Sequence, residues 1–302
     1  MSKRDASGVL LLDKPVAMTS NSALQKARFL FQAAKAGHGG TLDPFATGVL
    51  PIFFGEAAKF ANYFLDADKE YEALIKFGAE TDSCDLTGKV IKTAAIPDLA
   101  TIDWQRLVRE KFTGKILQIP PIFSALKIDG QRAYELARSG KNPDIAAREI
   151  SIFDLHILEI GRDFLAIRVL CSKGTYIRSL ARDIGLAIGS CAYCEKLRRS
   201  ATLGFSFQNS RIWQLAEIEK IATENFAEID ACLLKIDFCL QHLDKYQVSS
   251  EKIKFIRNGN DIAIFENLSE KQYRLYDEEG DFFGVGELKN KRMYPLRLLK
   301  NK

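Results

Sequence analysis

G-H-G-G-T-L-D-P-F-A-T-G, residues 37–48, is the stretch on which the reading of this chain turns. Four glycines and a proline in twelve positions forbid regular structure and hold the backbone in special conformations. A phosphate cradle does not fit: there is no G-K-[ST] ending, and a G-x-G-x-x-G register breaks at Leu42. What remains is one acid, Asp43, between Leu42 and Pro44. An aspartate is usually solvated surface or a turn cap. One embedded among apolar residues and glycines is a candidate for chemistry.

On the amino-terminal side of this loop, V-L-L-L (9–12) has strand character and is closed by Lys14-Pro15. Ser20 or Asn21 can cap a following helix that places Leu24, Ala27 and Phe31 on one face and ends at Gly37. On the other side, residues 49–54 predict a strand and 56–65 a helical stretch. Residues 70–78 alternate, with Tyr71, Ala73, Ile75 and Phe77 on the more apolar face. Residues 150–158 and 164–171 are strand-like, and 175–187 predict a helix turning Ile177, Leu180, Ala181 and Ile184 inward. Strands and helices mix without strict alternation, which argues for an α+β fold rather than a doubly wound sheet. From Tyr246 onward, short alternating segments between turn signals at 257–261, 277–281 and 289–292 predict a small β-barrel, with a linker near 240–248.

The bulk numbers set the frame. The chain has 302 residues, 47% hydrophobic and 27% charged, the composition of a globular protein. That length usually divides into more than one core. A net charge of +4 and a pI near 8.6 suit a polyanionic partner without establishing one. No segment approaches the ~20 apolar residues of a membrane helix. The apolar run after Lys3 and Arg4 is broken by Asp13 and Lys14, too soon for a signal peptide, so the chain reads as cytoplasmic. Six scattered cysteines (84, 171, 191, 194, 232 and 239) read as reduced thiols. Cys191 and Cys194 form half a zinc site, but His38, His156 and His242 supply no second close pair, so no metal is expected.

Residues 37–60, continuing the opening loop through V-L-P-I-F-F-G-E-A-A-K-F, resemble the catalytic motif of the bacterial tRNA pseudouridine-55 synthase family, TruB. L-L-L-D-K-P (10–15), G-A-E-T-D-S-C-D-L-T-G (78–88), Q-I-P-P-I-F-S-A-L-K-I-D-G (118–130) and C-S-K-G-T-Y-I-R-S-L-A-R-D-I-G (171–185) resemble family segments in the family's order. L-R-R (197–199) and the carboxy-terminal region, similar to a PUA module, extend the likeness over most of the chain. Two positions depart: the family usually has G-H-T-G where Gly39 stands, and glycine where Ala17 stands.

The resemblance implies a pseudouridine-synthase α+β domain over 1–243, with a mixed or antiparallel sheet, flanking helices and an RNA-gripping flap about 124–150. A PUA-like RNA-binding barrel would follow over 246–302. It implies isomerisation of uridine 55 in the T-arm of tRNA, on a flipped-out base, by a monomer that uses neither cofactor nor metal and has no protein partner. Such chemistry breaks the bond between uracil nitrogen and ribose and rejoins the base through carbon 5. A carboxylate facing the sugar suits it, because positive charge develops on the ribose. An aspartate of ordinary pKa ~3.9 is ionised at neutral pH. Burial raises that value, so a neighbouring cation is needed.

By resemblance Asp43 is the catalytic acid and Arg178 its partner. Tyr71 stacks on the uracil and accepts the proton from carbon 5. Tyr176 and Leu197 complete the pocket, and His38 contacts the RNA where the base has left its stack. Lys14, Lys127, Arg132, Lys173, Arg198 and Arg199 are candidate phosphate contacts, which repay the few kcal/mol that flipping costs. A non-catalytic tRNA-folding chaperone is the rival from another class. Asp43 argues against it, since an anion aimed at RNA is unfavourable unless it reacts. A phosphoryl-transfer aspartyl enzyme would need Mg²⁺ and further acids, and the nearest in sequence is Glu56.

Overall fold

Two sheets, each over its own hydrophobic cluster, organise the computed structural model, which describes residues 3–124, 126–128, 130–139 and 144–300, with backbone alone at 127, 128, 132, 134 and 138. The larger sheet has ten strands. Its main path runs Trp213–Gln214, Gly8–Lys14, Thr47–Phe54, Ala192–Thr202, Lys69–Phe77, Phe164–Cys171, Arg148–Ile160 and Gly114–Gln118. Most neighbours are antiparallel; the first pair and the contact of Thr47–Phe54 with Ala192–Thr202 are parallel, so the sheet is mixed. The fold is α+β, as the lack of alternation in the sequence implies.

The apolar runs at 9–12 and 49–54 are continuous because these strands are buried on both faces. Leu10, Leu12, Leu50 and Ile52 join the main core, against Ala23, Leu24, Ala27 and Leu30 of the helix Ser20–Leu30. Val9, Leu11, Val49 and Phe53 face the opposite cluster with Phe64. The helix is capped by Thr19, one residue before the expected caps, and stops at Leu30 rather than Gly37. Gln32 then takes a left-handed φ of 49°, and the chain turns back to form the short strand Ala36–His38 beside Thr47–Phe54. The expected strand at 70–78 is Lys69–Phe77, and the helix at 175–187 is Ile177–Ala187.

Where the two central strands of the parallel contact meet, a glycine is required. Gly48 has φ 106°, and a Cβ there would stand 2.2 Å from the carbonyl oxygen of Arg199. Only glycine lets the loop that carries Asp43 enter the sheet so close to its neighbour.

The second sheet has the order Asp244–Gln247, Gln272–Tyr276, Phe282–Lys289, Arg292–Leu298, Ile262–Ala263. Val248, Ile256, Leu275, Phe283 and Met293 fill its core. The outer strands, four and two residues long, do not pair with each other, so the expected barrel is a curled half-barrel. Phe60, Leu240 and Val285 pack between the sheets, and the Lys59 ammonium donates to the Leu298 carbonyl, 2.8 Å. All six cysteines are buried and unpaired. Among the described residues no helix is long and apolar enough to cross a membrane.

Candidate active site

The loop bearing Asp43 is fixed from several directions. Ser20, buried at the helix start, uses one hydroxyl twice: it donates to the Leu42 carbonyl (2.9 Å) and accepts from the Leu42 amide (2.7 Å). Leu42, Phe45 and Ala46 are buried on either side of Asp43 and act as plugs in the main core. The Lys14 ammonium, fully enclosed, donates to the carbonyls of Pro15 (2.8 Å), Met18 (2.6 Å) and Pro44 (3.3 Å). Burial pulls its pKa down to about 8, against the attraction of Asp43. Gly39, where the family usually has threonine, lies against two rings: a Cβ there would come 2.8 Å from Phe64 and 2.9 Å from Phe53. The space of the missing side chain is filled by that edge-to-face pair, centroids 5.1 Å apart.

Arg178 is the hub. It lies in the first turn of the helix Ile177–Ala187, where the helix dipole disfavours a cation, and it is 4% exposed. All five of its N–H donors are used. Nε and Nη2 meet the two oxygens of Asp43 at 2.9 and 3.2 Å. Nη1 reaches the Ser83 carbonyl (3.0 Å) and Asp85 (3.3 Å), and Nη2 also reaches the Phe123 carbonyl (3.0 Å). A forked guanidinium is the group suited to this, since two parallel bonds fix the carboxylate's plane. Burial pushes the Asp43 carboxyl above its ordinary value; Arg178 and Lys14 pull it back, and Asp85 adds to the rise. Two cations against two carboxylates leave the cluster electrically balanced.

Asp85 is the residue that sequence reasoning missed. It too is buried, and it accepts from the hydroxyls of Ser83 (2.8 Å) and Thr87 (2.6 Å) and from the Thr87 amide (2.9 Å). Gln118 is a second omission. It accepts from the Tyr176 amide (2.8 Å) and donates to the Tyr176 carbonyl (3.1 Å), setting the start of the Arg178 helix. Both lie in segments that resemble the family, 78–88 and 118–130, but nothing in D-S-C-D-L-T-G or Q-I-P-P marks the acid or the amide as part of the site.

Asp43, Tyr71, Tyr176, Arg178, Leu197 and Arg199 line one pocket of about 230 Å³, together with Lys69 and Gly174. Five of these were expected there; Lys69 was not considered. Burial pushes the Tyr71 phenol above its ordinary value, with Arg199 opposing, so the hydroxyl stays protonated at neutral pH. His38 stands outside the pocket wall, on the strand Ala36–His38. Burial and Arg199 lower its pKa, so the ring is neutral, and its Nδ1 has no hydrogen-bond partner among the described residues.

The candidate phosphate contacts divide. Lys14 is enclosed beneath the Asp43 loop and cannot reach an external phosphate. Arg199, 1% exposed, donates to the carbonyls of Val49 (2.7 Å) and Gly40 (3.1 Å). Both are corrected from surface contacts to internal struts, because buried cations demand buried acceptors. Arg198 donates to both oxygens of Asp13 (3.2 and 2.9 Å) and covers the Phe207 ring at 4.1 Å. Among the candidates whose side chains are described, Lys173 is the well-exposed one, in a surface pair with Asp66 of the weakly stabilising kind. The side chains of Lys127 and Arg132, and part of the flap about 124–150, lie outside the described residues.

Comparison with known proteins agrees with this architecture. Residues 28–177 match the family described as TruB family pseudouridylate synthase (N terminal domain), and 245–299 match Pseudouridine synthase II TruB, C-terminal. The fold is similar to that in a solved structure of a Cbf5-Nop10-Gar1 complex, with TM-score 0.73 and 24% identity over 98% of this chain and 84% of that one. Fold and matches together define a pseudouridylate synthase. The tRNA pseudouridine synthase B of Stutzerimonas stutzeri (strain A1501) is 41% identical over 301 residues, 99% of this chain and 97% of that protein. Its counterpart in Dechloromonas aromatica (strain RCB) is 46% identical over 284 residues, 94% and 92% respectively. The chain belongs to the TruB family.

Proposed function

We propose that this chain, an isomerase converting uridine to pseudouridine in tRNA, acts on the uridine at position 55 of the T-arm, on a base flipped out of its stack. Asp43 is the carboxylate at the ribose, and Arg178 keeps it ionised and aimed. Tyr71 supplies the stacking face, and Tyr176 and Leu197 close the uracil pocket. His38 occupies RNA space at the pocket's edge, and Lys173 meets phosphate. Residues 1–243 form the catalytic unit and 246–302 the RNA-binding unit; one copy carries a whole site and works as a monomer in the cytoplasm.

One observation carries this: a third-exposed Asp43, opening into a pocket, is gripped by two donors of a fully engaged arginine. A carboxylate kept charged beside an aromatic wall suits attack on a sugar whose transition state is positive. Incubating the protein with unmodified tRNA and mapping pseudouridine tests it. The expected product is one pseudouridine in the T-loop; pseudouridine elsewhere with none there would overturn the site assignment.

A further inference from the structure

Lys69 is the charged group in the pocket that the roles above leave unused. It begins the strand Lys69–Phe77, opposite Cys171 on one neighbouring strand and Thr202 on the other. Side chains two apart on a strand share a face. Lys69 and Tyr71 therefore stand side by side in the wall of the pocket that Asp43 and Arg178 also line. The lysine is 7% exposed. Its ammonium donates to the carbonyls of Leu65 (2.8 Å) and Ala67. An ammonium has three hydrogens. The third has no acceptor among the described residues, in a pocket where all five donors of Arg178 are engaged. Burial and Arg199 draw the pKa of Lys69 down to about 8, with Cys171, Asp66 and Asp68 opposing, so the group is still protonated at neutral pH. Keeping a lysine here costs desolvation energy that a buried methionine would not incur.

We propose that Lys69 is a further catalytic residue, whose free N–H donates to a carbonyl oxygen of the uracil and stabilises the base while it is detached as an anion. The inference rests on the pocket being the uracil's. A base stacked on Tyr71 presents an edge to the next residue on the same strand face, which is Lys69. When the C1′–N1 bond breaks, its electron pair leaves with the base and spreads over N1, O2 and O4. The electron-poor C1′ is satisfied by Asp43, through a bond to carboxylate oxygen or by removal of the 2′ proton. The base then turns, C5 returns an electron pair to C1′, Asp43 is released or gives the proton back, and the C5 proton departs to a base. Negative charge on the uracil oxygens exists only between these two bond events. A donor aimed at them acts on the transition state rather than on binding.

The experiment compares wild type, Lys69→Gln and Lys69→Arg at single turnover on two T-arm RNAs, one carrying uridine and one 5-fluorouridine at the target. Fluorine stabilises the departing anion, and a fluorinated C5 has no proton to lose, so glycosidic cleavage is read on both. Lys69→Gln should slow cleavage of uridine by about 10²–10³-fold, the usual loss for one such donor, with RNA affinity nearly unchanged. Its loss on 5-fluorouridine should be about tenfold smaller, because that base leans less on the lysine. Lys69→Arg keeps the charge and donors for the two carbonyls, so it should fall between, with the same bias between substrates. Equal losses on the two RNAs would reduce Lys69 to an anchor for Leu65 and Ala67. Weakened binding at an unchanged rate would make it a phosphate contact. Either result overturns the proposal. Asp43→Asn is run beside them: if it stays active, the pocket assignment itself is wrong, whereas an inactive Asp43→Asn with a normal Lys69→Gln removes only the role of the lysine.

Discussion

The loop 37–48 and the turn 82–88 deliver the same chemical group to the same arginine, yet they treat it differently. Asp43 and Asp85 both meet Arg178, with side-chain exposures of 33% and 5%. The Asp85 carboxylate accepts from Ser83, from the hydroxyl and amide of Thr87, and from Arg178. Among the described residues the Asp43 carboxylate is bonded by Arg178 alone, while the effort of its loop goes into the backbone, through Ser20, Lys14 and the buried Leu42 and Phe45. A fully satisfied carboxylate is a holder. One whose backbone is fixed but whose oxygens face a pocket is free to react. A reactive group thus needs rigid support with incomplete satisfaction, and a supporting group needs the reverse.

Short of removing Asp43 itself, the largest effect is expected from Arg178→Ala, which leaves the buried Asp85 and the part-buried Asp43 without their shared cation. Stability should fall by about 3–5 kcal/mol in denaturant unfolding, and turnover by about 10³-fold, since a buried pair broken on one side leaves uncompensated charge. Normal turnover in this variant would deny the pairing any catalytic part.

Asp85→Asn should be milder. Losing one charged contact to Arg178 costs about 1.5–3 kcal/mol, or roughly 10–10²-fold in rate. Its signature lies in the pH profile. The charge of Asp85 raises the pKa of Asp43, and activity requires Asp43 ionised, so removing that charge should move the acid limb of kcat to lower pH. An unmoved limb would mean the two carboxylates do not sense each other.

Tyr71→Phe keeps the ring and should stay within about tenfold of wild type, whereas Tyr71→Ala, losing a stack of about 1–3 kcal/mol, should fall well below it. Loss of all turnover in Tyr71→Phe would restore the hydroxyl as proton acceptor.

The smallest effect sharpens the contrast in rigidity. Ala17 holds φ 61° where the family usually has glycine. That conformation costs about 1–2 kcal/mol, partly offset by the extra freedom of unfolded glycine, so Ala17→Gly should raise the melting temperature by about 1–3 °C in a thermal scan.

The loop 37–48 was legible because glycine and proline announce special backbone and one acid stood out within it. The strand Ala192–Thr202, central to the sheet, was not read as one: Lys196, Arg198 and Arg199 break its alternation, and Arg199 is buried only because the Val49 and Gly40 carbonyls wait for it. The 3.6-residue pattern marks Ile177, Leu180, Ala181 and Ile184 as inward and leaves Arg178 as surface. Its burial depends on acids from two distant segments, which periodicity cannot sense, and resemblance alone named it. Asp85 and Gln118 stayed hidden for the same reason, since their partners come together only in the fold. Lys14 was misassigned because cations are rarely buried, and the three carbonyls that accept it are invisible in a string of letters.

The difference between the two carboxylates is tested most directly by assaying Asp43→Asn and Asp85→Asn side by side on unmodified tRNA, with pseudouridine formation and RNA binding measured on the same samples. Asp85→Asn should still form pseudouridine, more slowly, while Asp43→Asn should bind the RNA and form none. Pseudouridine from Asp43→Asn, at any rate comparable to that of Asp85→Asn, would contradict the assignment of Asp43 as the reacting group.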